Sequence, residues 1–381
     1  MKVLLTHPSA ELYGADRMAL LALRALVREG HAVTAVVPVN GPLVERMRES
    51  GATVLVADVG VLRKSDLRPL GLLRLLRRLT AGLMLIARLL RSVDPDVVYV
   101  NTIVQPWWIV ASRLARRRVV VHVREAEPQL PRAVRTVINA PLLAAHVVAC
   151  NSAATRDEIA AVVAPVRDRL LVVYNGKDWS DYDIDRDDAM RNPLRLTVIG
   201  RLSPRKGQDV AVRALAELAA AGTDATLTLV GSVFDGYEWY ERELQDLAKE
   251  LGVADRIEFA GFHADVRPML RRTDIAVVPS RIEPFGTVAA ECLAAGVPTV
   301  VSEVQGLTEI VADGRTGLTF PSNDHRALAR CCSWVATHPE ESRRLAMTGR
   351  RDVLERFSLA RYEHQILEIL ESAAARRAVR R

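Results

Sequence analysis

Short runs rich in valine, leucine and alanine recur through the first 176 residues, separated by stretches of mixed polarity. KVLLTH, HAVTAVVP, TVLVADV, DVVYVNT, RVVVHVRE and HVVACNS, with LLVVYNG closing the series, are continuous apolar runs rather than alternating ones. Continuous runs of this length predict strands buried on both faces, as in a parallel sheet. ADRMALLALRALVREG and SAATRDEIAAVV, lying between them, carry the helical period. Repeated strand–helix alternation predicts an α/β chain with a doubly wound parallel sheet.

After LLVVYNG the pattern lapses. KDWSDYDIDRDDAMRNP, residues 177–193, is polar, acidic and without period, and it reads as a linker. LRLTVIG, ATLTLVGS, RIEFAGF, DIAVVPS and PTVVSE then form a second strand–helix series over residues 194–356, and LARYEHQILEILESAAARR adds one more amphipathic helix at about 357–375. The expected organisation is one Rossmann-like domain over residues 1–176 and another over 194–356. Two such sheets joined by a linker predict a cleft, with ligands at the carboxyl ends of strands.

A length of 381 residues fits two domains, and 49% apolar with 26% charged residues is ordinary for a globular chain. Cys150, Cys292, Cys331 and Cys332 form no C-x-x-C pair and have no histidines at ligand spacing, which predicts a reduced, cytoplasmic chain. The apolar run after Met1 is too short for a signal peptide, and no uninterrupted apolar run of about 18 residues predicts a membrane span. The net charge of +6 is uneven: between Gly60 and Ala140 there are 15 Lys and Arg against 5 Asp and Glu. Such a patch suits an anionic surface, lipid or nucleic acid, and the scarcity of aromatic residues within it argues against single-stranded nucleic acid.

Two post-strand loops carry candidate chemistry. VIGRLSPRKGQDVAVRALAEL runs from a strand ending at Gly200, through Arg201, Arg205 and Lys206, into a helix near Gln208. Glycines let backbone approach a ligand, and cations beside a helix start make a phosphate site; solvated basic residues in a loop fit the same pattern. The second loop is RIEPFG, between DIAVVPS and a helix starting at Gly286 or Thr287. Glu291 stands inside the apolar run TVAAECLAAG, where a lone carboxylate is costly unless something holds it. It lies four residues after Thr287 rather than the three of a capping box, and positions 287, 288, 294 and 295 offer no cation. It therefore faces whatever the helix start binds, where a carboxylate can accept two hydrogen bonds from a diol such as ribose. Glu283 would face the other end of the ligand, with amides and the Arg and Lys residues holding a diphosphate between two sugars. That is the shape of a nucleotide-sugar.

E-P-F-G-x-x-x-x-E at residues 283–291, followed by AAGVPTVVSEVQGLTEIVADGRTGLTF, resembles the signature of family 4 glycosyltransferases, retaining enzymes of the GT-B fold. The resemblance runs essentially end to end, through the loop after the first strand, the G-R-x-x-x-x-K-G loop and the final helix crossing back to the first domain. It implies that Arg201 and Lys206 hold the donor diphosphate and stabilise the leaving group. It implies that Glu283 contacts hydroxyls of the transferred sugar, that Gly200, Phe285, Gly286 and Thr287 flank the donor, the last three through backbone amides, and that Glu291 binds ribose. In the first domain it assigns Gly14 to the loop after the first strand, where the family has a Gly-Gly pair and this chain has Tyr13-Gly14. It also assigns His122 to the neighbourhood of the donor sugar and phosphate; a strand-end histidine with satisfied hydrogen bonds is the plainer alternative. Gln305-Gly306 and Thr308-Glu309 depart from the family's Gly-Gly and Pro-Glu.

The implied chemistry is front-face transfer from UDP- or GDP-sugar with retention, the leaving phosphate helping to deprotonate the acceptor hydroxyl, with no cofactor and no metal. A nucleotide-sugar epimerase of the same fold and a non-catalytic sugar-nucleotide binder are the alternatives; an NAD enzyme is disfavoured because no G-x-G-x-x-G follows KVLLTH. DYDIDRDD imitates the acidic metal motif of the other large glycosyltransferase fold but falls in the linker. Residues 72–92, LLRLLRRLTAGLMLIARLLRS, place Arg74, Arg77, Arg78, Arg88 and Arg91 on one arc, with Leu73, Met84 and Leu85 among them and Leu72, Leu75, Leu76, Leu79, Leu83, Ile86 and Leu90 opposite. A helix of this kind packs on a sheet or lies in an anionic membrane interface; the second use implies a glycan or lipid-linked acceptor at the inner face of the cell membrane.

Overall fold

The computed structural model of the chain describes residues 1–59, 82–186, 191–234 and 236–378. They divide into two compact units, Met1–Gly176 together with the chain from Ala360 onward, and Lys177–Leu359.

The first unit contains β1 (Lys2–Thr6), α1 (Gly14–Arg28), β2 (Ala32–Val37), α2 (Pro42–Glu49), β3 (Thr53–Val56), α3 (82–93), β4 (Val97–Asn101), α4 (Pro106–Leu114), β5 (Arg118–Val123), α5 (Arg132–Asn139), β6 (Val147–Cys150), α6 (Ala153–Val162) and β7 (Leu170–Val172). Its sheet has the order β3-β2-β1-β4-β5-β6-β7, with parallel pairing throughout. All five residues of β4 are buried, as the Val-rich run requires of a strand covered on both faces. Ile86 and Leu90 of α3 are buried in the same core as the sheet valines, while Met84 is 60% exposed beside the exposed Arg88 and Arg91. Residues 72–81 of the basic amphipathic segment, with Arg74, Arg77 and Arg78, lie outside the described residues.

The second unit contains β8 (Leu194–Ile199), α7 (Gln208–Ala220), β9 (Ala225–Val230), α8 (Glu238–Glu250), β10 (Ile257–Gly261), α9 (Arg267–Arg272), β11 (Ile275–Val278), α10 (Thr287–Ala294), β12 (Thr299–Ser302), α11 (Leu307–Ile310), β13 (Leu318–Phe320), α12 (His325–Thr337) and α13 (Pro339–Arg356). Its parallel sheet, β10-β9-β8-β11-β12-β13, repeats the winding of the first. In each sheet the order reverses beside the first strand, between β1 and β4 and between β8 and β11, and in such sheets the reversal opens a crevice at the carboxyl ends. α14 (Leu359–Ala378) follows, and from Ala360 it belongs with the first unit.

The polar stretch from Lys177 is packed rather than loose, because it carries two aromatic side chains. Trp179 and Tyr182 are buried edge to face at 5.4 Å, and the Trp179 indole donates to the Phe357 carbonyl at 2.9 Å. Asp181 and Asp183 of the acidic run pair with Arg267 and Arg350 at 2.8 and 2.6 Å. Countercharge from two helices therefore accounts for those acids.

Gly207 turns the basic loop into α7 with φ of +67°, and a Cβ there would stand 2.0 Å from the Pro279 carbonyl oxygen. The left-handed backbone and this overlap together predict that Gly207→Ala costs more than about 2 kcal/mol. The check is thermal unfolding of purified variant and parent, with the transition of the second unit lowered by roughly 4–8 °C.

Candidate functional site

In the second unit the basic loop leaves β8 and the acidic loop leaves β11, and these strands are neighbours, so both loops emerge at the reversal of strand order. Lys206 forms an ion pair with Glu283, and the Ser280 hydroxyl donates to the same carboxylate oxygen at 3.3 Å. Gln305 fixes Glu283 from the other side: its Oε1 accepts the Glu283 amide at 2.7 Å, and the Gly306 amide donates to the Glu283 carbonyl at 3.1 Å. Arg201 lies with its guanidinium 3.0 Å from the centre of the Phe234 ring, a cation–π contact that sets the plane of its donors.

The two loops are also joined directly. Arg281 donates through both terminal nitrogens to Asp209, at 2.8 and 2.7 Å, and to the Pro204 carbonyl at 2.6 Å, while its amide donates to the Arg205 carbonyl at 2.8 Å. The Tyr240 hydroxyl adds a bond to Asp209 at 3.0 Å. Burial pushes the Asp209 carboxyl up, but the hydrogen bonds and charge of Arg281, with Tyr240, more than offset it and leave the group below its ordinary value.

α10 begins at Thr287 after Gly286, whose φ is +108° and where a Cβ would lie 2.6 Å from a Leu307 methyl. No side chain caps this end, so its first amides remain for an anion. Phe285 is buried edge to face against Phe357 at 5.4 Å, which anchors the Pro-Phe-Gly turn. Glu291, 8% exposed, forms an ion pair with Lys177, whose ammonium also donates to the Tyr182 hydroxyl at 2.5 Å. The cation that its own helix could not supply comes from a residue 114 positions away. Lys177 and Arg281 are the residues that sequence reasoning passed over; no local pattern marks the partner of either.

Arg201, Lys206, Glu283, Phe285, Gly286 and Thr287 thus gather around the β8–β11 reversal, and Glu291 lies one turn along α10. Gly14 and His122 lie in the first unit. Gly14 is the first residue of α1, and a Cβ there would meet nothing within 4 Å. His122 is fully buried in β5; its Nδ1 faces the Tyr99 hydroxyl at 2.9 Å and Arg124 at 3.2 Å. Burial, with the charge of Arg124, holds the imidazole well below its ordinary value, so it is neutral near pH 7. Its Nε2 is enclosed and has no well-aligned hydrogen-bond partner among the described residues. Around the β1–β4 reversal runs a chain that the motifs did not reveal: Asp16 to His7 at 2.5 Å, His7 to Asn101 at 2.8 Å, and Asn101 to Arg124 at 2.8 Å. Arg124 also reaches Asn175 at 2.7 Å and Tyr362 at 3.2 Å, and Tyr362 donates to the Met18 carbonyl.

The family model described as glycosyl transferases group 1 matches residues 184–352, and the model described as glycosyltransferase family 4 matches residues 13–180. The glycogen synthase of Mycobacterium tuberculosis is 33% identical over 208 residues, 54% of this chain and 49% of that protein. The D-inositol 3-phosphate glycosyltransferase of Stackebrandtia nassauensis is 37% identical over 199 residues, 51% of this chain and 44% of that protein. The matched stretch thus spans about half the length of these curated relatives. The structure of HepE from Anabaena, solved with UDP-glucose, superposes with a TM-score of 0.82 at 24% identity, covering 98% of this chain and all of that one, and it shows the fold to be GT-B.

Replacing Arg281 by Gln leaves Asp209 partly buried without its cation, an expected loss of about 1–3 kcal/mol. Because the folded-state value of Asp209 is depressed, its contribution is present above the unfolded value near 4 and is lost as pH falls through the folded value. The difference in melting temperature between parent and Arg281→Gln should be full at pH 7 and shrink progressively below about pH 4.

Proposed function

The chain belongs to the family 4 glycosyltransferases, and on that premise we propose that it moves a sugar from a nucleoside diphosphate donor, UDP or GDP, to an acceptor hydroxyl. The observation that carries this reading is the meeting of two cations, Arg201 and Lys206, with the uncapped start of α10 and the carboxylate of Glu283 at one reversal of strand order. Cations and free amides suit a diphosphate, while a carboxylate beside them suits sugar hydroxyls rather than a second phosphate. That HepE was solved with UDP-glucose supports a sugar nucleotide as the ligand class.

In the proposed reaction the bond between the anomeric carbon and the donor phosphate breaks as the acceptor oxygen attacks from the same face. Bond formation on the face that the phosphate leaves preserves the anomeric configuration, and the acceptor proton passes to the departing phosphate oxygen. Arg201 and Lys206 hold the charge that develops on the diphosphate, and this electrostatic term is the protein's main contribution to the rate. Glu283, kept in place by Ser280 and the Gln305 contact to its amide, orients the sugar hydroxyls. Glu291 accepts from the ribose diol, with Lys177 paired to its other side in a half-apolar setting. We take the reaction to need no metal, since the cations already supply the countercharge.

A glycan or lipid-linked acceptor at the cytoplasmic membrane face is the reading we favour for the basic segment at 72–92. Support comes from the described part of α3, where Leu83 and Met84 are exposed along with Arg88 and Arg91 while Ile86 and Leu90 serve the core. No helix among the described residues is long and apolar enough to cross a membrane, so such contact would be peripheral.

Two measurements test this reading. In a thermal-shift panel of UDP, GDP, ADP and NAD with EDTA present, UDP or GDP should raise the melting temperature, and Lys206→Ala should abolish the rise. A rise with NAD alone, or with none of the four, would sink the proposal. With the donor base known, Lys206→Ala should lower kcat by roughly 10²–10³-fold in a transfer assay. For the membrane contact, the chain should float with anionic vesicles at low salt; a chain that stays behind removes the lipid surface from the scheme.

A further inference from the structure

A cavity of about 600 Å³ lies within the first unit, running from the amino ends of β5 and β6 along the short edge strand β7. Its wall carries Arg113 from the last turn of α4, Arg118 at the start of β5, His146 just before β6 and Arg169 just before β7, with Gln365 and Glu368 of α14 opposite. The basic side chains therefore sit at the amino ends of three neighbouring strands. His7, Asn101 and Arg124 mark the other end of the same sheet.

The hydrogen bonding at this wall is frustrated. The Val119 amide points at His146 Nδ1 at 3.1 Å, and Arg113 points a guanidinium nitrogen at His146 Nε2 at 2.7 Å. Both are donors, and a neutral imidazole offers one acceptor nitrogen. Whichever nitrogen holds the proton, one donor faces another. The amide is fixed by the strand, so the natural assignment is Nδ1 accepting from Val119 and Nε2–H directed at Arg113. With the two nitrogens 2.7 Å apart, an anion oxygen seated beside the pair in the cavity, rather than between them, can accept from both as the guanidinium turns off the ring. Arg169 is already held by the Leu143, Ala145 and Pro165 carbonyls and cannot swing away from the wall. Among the charged residues lining the cavity three are arginines and one is acidic, the exposed Glu368.

From this geometry we propose that the cavity is a second ligand site, separate from the donor site, which binds the phosphate group of a phosphorylated small molecule. A phosphate offers several acceptor oxygens to donors arriving from different directions, and paired guanidinium groups suit it. Val147, Leu171, Val172 and Ile369 line the rest of the cavity and fit a carbon body attached to that phosphate. The bound group would lie between the strand starts and α14. It would therefore stiffen the attachment of α14, which Tyr362 bonds to Arg124 and the Met18 carbonyl and Glu363 bonds to Arg28.

The test is a calorimetric titration of inorganic phosphate into the full chain with UDP present in excess, so that the donor site does not contribute. A saturable heat is expected, weakened about tenfold in Arg113→Gln, whose side chain is exposed and contributes to no core, and further in Arg113→Gln/Arg118→Gln. UDP binding should be unchanged in both variants, so that failure here is distinct from failure of the donor-site reading. A parallel arm replaces phosphate by phosphatidylcholine vesicles carrying phosphatidic acid. Capture by vesicles that Arg113→Gln abolishes, without a response to free phosphate, assigns the phosphate to a lipid headgroup and keeps the site. No saturable heat and no capture, or responses that both variants leave intact, would overturn it.

Discussion

The chemistry of the second unit depends on the pairing of Arg281 with Asp209. Each of the loops that carry Lys206 and Glu283 lacks a ladder of its own, and loops without ladders drift. Arg281 ties them with two charge-assisted bonds to Asp209, one to the Pro204 carbonyl and a backbone bond to Arg205. A planar guanidinium can do this and an ammonium cannot, because the geometry uses several donors in one plane. Displacement of reacting groups by about 1 Å can cost roughly 100-fold in rate, so under the proposed function this crosslink would bear on the rate through the two loops it joins.

Steric packing completes what the ion pair begins. Gly207 sits against the Pro279 carbonyl, Gly286 against Leu307, and Gly306 against the carbonyls of Pro284 and Phe285, each with no room for a Cβ. The backbone of the basic loop therefore touches the chain just after β11, and that of the loop after β12 touches the Pro-Phe-Gly turn, while Gly286 makes room for the Leu307 side chain. A diphosphate needs main-chain amides at short range, and such close packing is one way to present them. Gln305 is the exception in this series: a residue with φ of +39° where glycine would be unstrained, retained in a position where its side chain accepts the Glu283 amide.

Much of this was legible in the sequence, and the reason differs by level. Both sheets followed from continuous apolar runs, since a strand covered on both faces has no choice of pattern. The loops around Arg201, Lys206 and Glu283 followed from their place after strands, and the starts of α7 and α10 fell within a residue of expectation. Partners across long separations did not follow. Nothing local marks Lys177 as the cation of Glu291, or Asn101 as the link between His7 and Arg124, because spacing along the chain carries no information about pairs brought together by topology. His122 shows the same limit from the other direction: the resemblance assigned it to the neighbourhood of the donor, and the fold encloses the ring completely.

The two sheets share a winding yet answer the electrostatic problem at their reversal points in opposite ways. Around β1 and β4 the polar groups are sealed: His7, Asp16, Asn101, His122 and Tyr362 are each no more than 3% exposed, and Arg124 is 8% exposed. Buried charge of that kind persists only when every member is tied to another, which makes the cluster stiff and costly to disturb. Around β8 and β11 the Lys206 and Arg281 side chains keep 27% and 31% of their surface in contact with solvent. There a cation pair with a carboxylate can be remade with a phosphate at little desolvation cost. The same winding thus carries a sealed polar cluster in one unit and a partly solvated ion pair in the other, and the difference resides in which side chains occupy the strand ends.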